Sequence, residues 1–201
     1  MNPLLLDLPE RIETPRLLLQ VPKAGYGKDV HRAICDGYKD YVKWLCWPET
    51  KPTVIAVEAD CRKQHADFIL RKELRYLVIE KSSGKVIGRA AYPAFLANWL
   101  IPMFGISYFV SKSARGQGYA KELANALTRH AFDKLACKKI EIKVDAKNIA
   151  SLKVPQALNF TLEAKQKGTW PSTDKSSLAE VYTFALFDPA DLPELEVSYS
   201  G

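Results

Sequence analysis

The chain has 201 residues, is 47% hydrophobic and 26% charged, and carries a formal net charge of +6. That length suits one full-sized domain, and the composition excludes disordered and low-complexity chains. Asp188, Asp191, Glu194 and Glu196 follow Phe187 with no Lys or Arg, so residues 1–187 carry about +10 once those four negative charges are set aside. Such a basic body favours an anionic partner (a phosphorylated cofactor, a nucleic acid or an acidic protein) or serves solubility alone.

Glu13 to Val21 reads as an opening strand. Val30, Ile34, Tyr38 and Tyr41–Val42 fall at helical spacing and predict one helix over Lys28 to Leu45. A second helix is predicted after Thr53, its N-cap, to about Glu73. Tyr76 to Glu80 is a strand, Ser82-Ser83-Gly84-Lys85 has hairpin turn chemistry, and Val86 to about Ala97 is the partner strand. Phe104 to Val110 is a further strand, and Gln117 to about Leu135 a helix with Leu123, Leu127, Ala131 and Leu135 on one face. Lys139 to Val144 alternates as a strand, Asn148 to about Leu158 is a short helix, and two strands near Phe160–Lys167 and Leu178–Phe187 precede the acidic tail. The order implies a mixed α/β or α+β domain over residues 1–201, with a core at about 12–187 and the tail at 188–201.

The 22 uncharged residues between Arg89 and Lys112 are long enough to span a membrane, but Pro93, Asn98, Pro102 and Gly105 interrupt them and favour two buried strands. The N-terminal MNPLLLDLPER lacks the features of a signal peptide. Cys35, Cys46, Cys61 and Cys137 form no C-x-x-C pair and do not cluster with His31, His65 and His130. No metal site is expected, and the cysteines read as reduced thiols of a cytoplasmic protein. The three histidines fall on predicted helices and are expected at the surface.

Between a strand and a helix stands Ala114-Arg115-Gly116-Gln117-Gly118-Tyr119-Ala120. Glycines let a backbone approach closely, and free N–H groups at a helix start attract phosphate oxygens. Tyr119-Ala120 excludes a P-loop, and Lys121 excludes the dinucleotide fingerprint. Taken alone, the stretch also reads as a plain surface turn.

R-x-x-G-x-A after a strand resembles the acetyl-CoA signature of the GNAT N-acetyltransferases, and Asn148 to Phe160 looks like the N-x-x-S-x-x-x-P-x-x-L-G-F element of their RimJ/RimL-like branch. Thr14-Pro15-Arg16-Leu17, Gly84-Lys85-Val86-Ile87-Gly88 and Ile106-Ser107-Tyr108-Phe109-Val110 echo the same family in the right order, over about residues 12 to 187. The resemblance implies a mostly antiparallel central sheet, flanked by helices, whose fourth and fifth strands splay into a slot for acetyl-CoA. Pantetheine amides would pair with the backbone of Tyr108, Phe109 and Val110, and the pyrophosphate would meet Arg115, Gly116, Gln117, Gly118, Tyr119 and Ala120. Asn148 would cap its helix and contact the cofactor. Ser151 would contact the cofactor and protonate the departing thiolate, or serve only as a first-turn residue. Asn159 stands where relatives have glycine and is expected in a left-handed C-cap.

Where many relatives read F-E-I-G-Y-W, this chain has Gly105 at the glutamate position. Asp145, Glu163 and an ordered water chain are the substitutes for that base. Tyr182 either faces the slot or is a core residue. Trp44, Trp47, Trp99 and Trp170 are candidates to line an acceptor pocket, with specificity read within Lys165 to Ser177. The function implied is acetyl transfer to an amine, in a ternary complex, by a monomer or homodimer. The amine is a protein N-terminus, such as that of a ribosomal protein, or a small amine such as an antibiotic or polyamine. A non-catalytic acyl-CoA sensor and an RNA- or ribosome-binding protein are the alternatives.

Overall fold

Alternating burial along the central strands sets the architecture. The structure, a computed structural model, describes residues 2–45, 47–173 and 176–201. In chain order it contains β1 (Arg11–Glu13), β2 (Leu17–Gln20), α1 (Gly27–Asp36), α2 (Tyr38–Leu45), α3 (Val54–Ile69), β3 (Leu74–Glu80) and β4 (Lys85–Tyr92). There follow β5 (Ala97–Asn98), β6 (Met103–Gly105), β7 (Ser107–Val110), α4 (Tyr119–Lys134), β8 (Lys139–Asp145), α5 (Ile149–Ala157), β9 (Thr161–Pro171), β10 (Leu178–Leu186) and β11 (Ser198–Ser200). One sheet has the order β11-β1-β2-β3-β4-β7, the other β5-β6-β8-β10-β9. Every pairing is antiparallel except that of β6 with β8. This is the mixed, mostly antiparallel α+β fold that the sequence implies.

On β3 and β4, Tyr76, Val78, Ile87 and Ala90 join Leu123 and Leu127 of α4 in one core. Leu77, Ile79 and Val86 join Val30 and Ile34 of α1 and Val57 of α3 in a second core. Both faces of this sheet are therefore covered, which is why its strands read as near-continuous apolar runs.

Several elements differ from the sequence reading. The expected opening strand from Glu13 to Val21 is instead a hairpin, with Glu13 ending β1 and only Leu17–Gln20 forming β2, and the helix after Thr53 ends at Ile69. The expected helix from Lys28 to Leu45 breaks at Gly37, where a Cβ would meet Tyr41 Cζ at 2.7 Å and Arg115 Nη2 at 2.8 Å. The partner strand of the hairpin ends at Tyr92, ahead of Pro93, which has no N–H to give a ladder. The expected strand from Phe104 to Val110 divides at Ile106. Its first part pairs with β8, its second with β4, and Ile106 N–H donates to Glu141 O at 2.8 Å. No ladder joins β7 to β8 among the described residues, so a slot opens between them. The uncharged stretch after Arg89 thus forms strand ends and loops, and no helix among the described residues is long and apolar enough to cross a membrane.

The acidic tail is part of the sheet. Leu192 is buried, Leu195, Val197 and Tyr199 pack on the core, and β11 pairs with β1. Asn125 Nδ2 and Arg129 Nη2 of α4 hold Pro193 O at 2.8 and 2.9 Å.

His130 corrects the expectation of surface histidines, because its position on α4 faces the core and it is fully buried. Tyr92 OH donates to Leu127 O at 2.5 Å, so His130 Nδ1, 3.0 Å from that hydroxyl, must supply the proton of their shared bond. Nε2 has no partner among the described residues. Burial, with a smaller contribution from Lys134, pushes the imidazole down to about 3. Between its ordinary value of about 6.5 and that value, the unfolded chain binds a proton that the folded chain refuses, so stability falls with falling pH. Taking the protein from pH 7 to pH 5 should cost roughly 2 kcal/mol more in the wild type than in His130→Phe, read by urea unfolding. Equal pH dependence in the two proteins would remove His130 as the source.

Candidate active site

A cavity of about 750 Å³ occupies the slot between β7 and β8 and continues past α2 and the loop after β4. Its cofactor-like side follows from ladder geometry. Ser111 N–H bonds Ile87 O at 2.6 Å, and Phe109 and Ser107 lie two and four residues earlier, opposite Arg89 and Ala91. Antiparallel alternation turns those residues toward β4, leaving the backbone groups of Tyr108 and Val110 on the open edge. Val110 O is already engaged, accepting Tyr41 OH at 3.0 Å and Arg115 Nε at 3.2 Å. Burial pushes the Tyr41 phenol up to about 12, against the opposing effect of Arg115, so it stays a neutral donor. The edge left free is therefore Tyr108 N–H and C=O with Val110 N–H.

Beyond Val110, a short turn leads to Gly116 at φ 78° and Gly118 at φ 81°, left-handed conformations that side chains tolerate poorly. The first bond of α4 runs from Glu122 N–H to Gly118 O at 3.1 Å. The N–H groups of Tyr119, Ala120 and Lys121 thus open the helix without an intrahelical carbonyl, toward the cavity that all three residues line. Gln117 is exposed and off the cavity wall, and its carbonyl accepts Arg16 Nη1 at 2.9 Å.

Buried Glu122 holds this corner to β2. Its Oε1 accepts Thr14 Oγ1 at 2.6 Å and Arg16 N–H at 3.1 Å, while Oε2 takes Arg16 Nε at 2.6 Å. Arg16 also stacks over the Tyr119 ring at 4.7 Å, and Tyr119 OH donates to Glu80 Oε1 at 2.5 Å. Thr14 and Arg16 of the opening motif therefore fix the glycine turn. Arg115 lines the cavity, with its guanidinium paired to Asp40 and set over the Tyr41 ring at 5.5 Å.

At the far corner, Asn148 caps α5 by accepting Ser151 N–H at 3.2 Å, and both residues line the cavity. Ser151 Oγ lies 3.4 Å from Tyr108 OH, whose pKa burial pushes up to about 12 against the opposing effect of Ser151. Asn159 takes the expected left-handed conformation at φ 61°. Asp145 is on the wall, where its Oδ1 accepts Lys147 N–H at 2.8 Å and shapes the turn into α5. Glu163 is exposed on β9, off the cavity wall, and paired with Lys139 at 2.6 Å. Asp145 and Ser151 thus share the cavity wall, whereas Glu163 lies off it, two strands away on β9 at the level of Ile142 and Lys143.

The position expected to hold a glutamate is closed. A Cβ on Gly105 would meet Leu96 Cδ1 at 2.6 Å and Leu96 Cβ at 2.8 Å. Trp44, Trp47 and Trp170 line the cavity, whereas Trp99 packs edge-on against Phe104 at 4.9 Å. Tyr182 is off the wall, packed on the core with Lys165 Nζ over its ring at 4.9 Å. Within Lys165 to Ser177, Asp174 and Lys175 lie outside the described residues, as does Cys46. Cys35, Cys61 and Cys137 are free thiols. The sequence reading missed Glu73, Arg75 and Arg89, which line the cavity beyond Ser107. Arg89 did leave a signal, as a lone charge inside a predicted buried strand.

Residues 16–161 match the family model described as an acetyltransferase (GNAT) domain. The uncharacterized N-acetyltransferase p20 of Bacillus licheniformis is 29% identical over 115 residues, a match spanning 56% of this chain and 61% of that protein. Among solved structures, RimL, a ribosomal alpha-N-protein acetyltransferase in complex with coenzyme A, is 20% identical with a TM-score of 0.79, covering 90% of this chain and 99% of its own. Mycobacterium smegmatis RimJ in complex with CoA-disulfide is 18% identical with a TM-score of 0.78, covering 96% of this chain and 93% of its own. At such identities the two structures show a shared fold.

The closed site at Gly105 gives a double-mutant test. Gly105→Ala should cost about 1–3 kcal/mol by overpacking, and the cost should largely vanish in a Leu96→Gly background, which removes the Cβ as well as the Cδ1 it would meet. Denaturant unfolding of the four proteins measures the coupling, and additive costs would place the strain elsewhere.

Proposed function

The chain belongs to the GNAT acetyltransferase family, and on that premise we propose that it is an acetyl-CoA-dependent N-acetyltransferase acting by direct attack of an amine in a ternary complex. The observation that carries this reading is the free edge at Tyr108 and Val110, continuous with the glycine turn and the open N–H groups at the start of α4. A strand-like amide chain ending in a pyrophosphate fits that sequence of donors and acceptors.

In the reaction the acceptor nitrogen bonds to the thioester carbonyl carbon and the carbon–sulfur bond breaks. A backbone N–H of the open edge, that of Tyr108, polarises the carbonyl as negative charge builds on its oxygen. The ammonium must first lose a proton, and Asp145, the expected carboxylate that does line the cavity, takes it through water. Ser151, whose hydroxyl lies 3.4 Å from Tyr108 OH, gives its proton to the departing thiolate and takes back the second proton that the nitrogen sheds as the amide forms. RimL's activity on a ribosomal protein supports a protein N-terminus as acceptor, with a small amine as the second class.

A second reading, a non-catalytic acyl-CoA sensor of the same fold, draws on Leu96 covering Gly105 where a base was expected. Acetyl-CoA should raise the melting temperature of the wild type, and Gly118→Glu should weaken its binding by at least about tenfold. Ser151→Ala should lower kcat by about a hundredfold with little change in acetyl-CoA affinity. Absence of any thermal shift would end the cofactor reading. Binding without turnover across N-terminal peptides and small amines would favour the sensor.

A further inference from the structure

The floor of the cavity beyond the slot carries a row of residues fixed by register. Arg75 of β3 pairs with Ala91 of β4, and Ala91 pairs with Ser107 of β7. Directly opposed residues in antiparallel strands share a face, so these three point to one side of the sheet. Arg89, opposite Leu77 and Phe109, lies diagonal to Arg75 on that face. Arg75, Arg89, Ala91 and Ser107 all line the cavity.

Arg89 is built as a receptor. Its side chain is only 7% exposed, and Asp60 of α3 holds Nη1 from behind at 2.8 Å. Asp60 itself is off the cavity wall and is steadied by Gln64 Nε2 at 2.5 Å. Nη2 meets only the Cys61 sulfur, a weak acceptor, at 3.5 Å, and Nε has no partner among the described residues. The Nε–Nη2 edge, the fork that grips carboxylates and phosphates, therefore meets no oxygen among the described residues. Arg75 gives one N–H to Glu73 at 2.7 Å, and its Nε is likewise unpartnered among the described residues. Each guanidinium thus meets one carboxylate, Asp60 from off the cavity wall and Glu73 on it, and each keeps an Nε without an acceptor among the described residues.

Resting on the acetyltransferase reading, we propose that the acceptor is an amine carrying a carboxylate or phosphate, which Arg89 and Arg75 hold while the amine sits over Ser107. Neighbouring strands are about 4.8 Å apart, so the anion lies one to two spacings, about 5–10 Å, from the amine. That span is too long for the carboxylate of a free α-amino acid. It suits an ω-amino acid, a phosphorylated alkylamine or an acidic side chain close to a free N-terminus. Binding supplies the oxygen acceptors that the buried guanidinium lacks, and an uncharged amine leaves them missing.

The test compares ε-aminocaproate, aminohexyl phosphate and ε-aminocaproamide as acceptors for acetyl transfer. In the wild type at least one of the anionic amines should exceed the amide in kcat/KM by about tenfold or more, and the better of the two names the source of the charge. Arg75→Gln and Arg89→Gln should bring that ratio close to one with acetyl-CoA affinity unchanged. Arg75 is the less buried of the two, so its variant serves if Arg89→Gln does not fold. An amide that equals or beats both anions overturns the inference alone, as does an Arg75→Gln that slows all three amines alike. No transfer to any of the three overturns the inference, and the acetyltransferase reading falls with it only if N-terminal peptides are not acetylated either.

Discussion

A strand that serves two sheets cannot keep neighbours on both edges along its whole length. Residues 103–110 meet that constraint by changing partner at Ile106: the first part lies along β8, the second along β4. The single bond from Ile106 N–H to Glu141 O is the pivot. After it the two strands diverge, and the backbone of Tyr108 and Val110 is left facing a cavity instead of a ladder. The open edge, the placement of Ser151 across from Tyr108, and the tryptophan-lined far end all follow from that exchange of partners.

The exchange would give only a crack if the next segment were loose. Glu122, buried one turn into α4, gathers the Thr14 hydroxyl and the Arg16 backbone and side chain, and Arg16 in turn holds the Gln117 carbonyl. A buried carboxylate is tolerable only when its oxygens are filled, and here they are. The N-terminal strand therefore sets the glycine turn through a contact spanning more than a hundred residues. Tyr41 and Arg115 do similar work at Val110, closing one carbonyl of the edge and tying α2 to the loop.

The cofactor-like half of the site was legible in the sequence because its chemistry lies in short motifs: Gly116 and Gly118 for a left-handed turn, Asn148 as a cap, Asn159 for a left-handed exit. The strand split was not, since Phe104 to Val110 reads as one apolar run and nothing in its pattern says that its partner changes. Gly105 was noticed as a missing carboxylate, but that Leu96 fills the space depends on a loop that has no period. His130 misled because helical spacing places it one residue from Ala131 on the core face, and a burial stripe wider than the leucines marked includes it. Arg75 and Arg89 come together only through strand register, which the sequence does not state.

The pairing of β1 with β11 brings Arg11 opposite Ser200, nearly the whole chain apart. Contacts of such separation incur their loop-closure entropy before they return any stabilisation, and they form late. During synthesis the outer edge of β1 therefore stays open until Ser198–Ser200 leaves the ribosome, a bare strand able to pair with another nascent chain. The carboxylates of the last stretch, Glu194 and Glu196, sit on exposed positions between the residues that dock. Charged side chains at such exposed positions disfavour pairing of this segment with a second copy of itself.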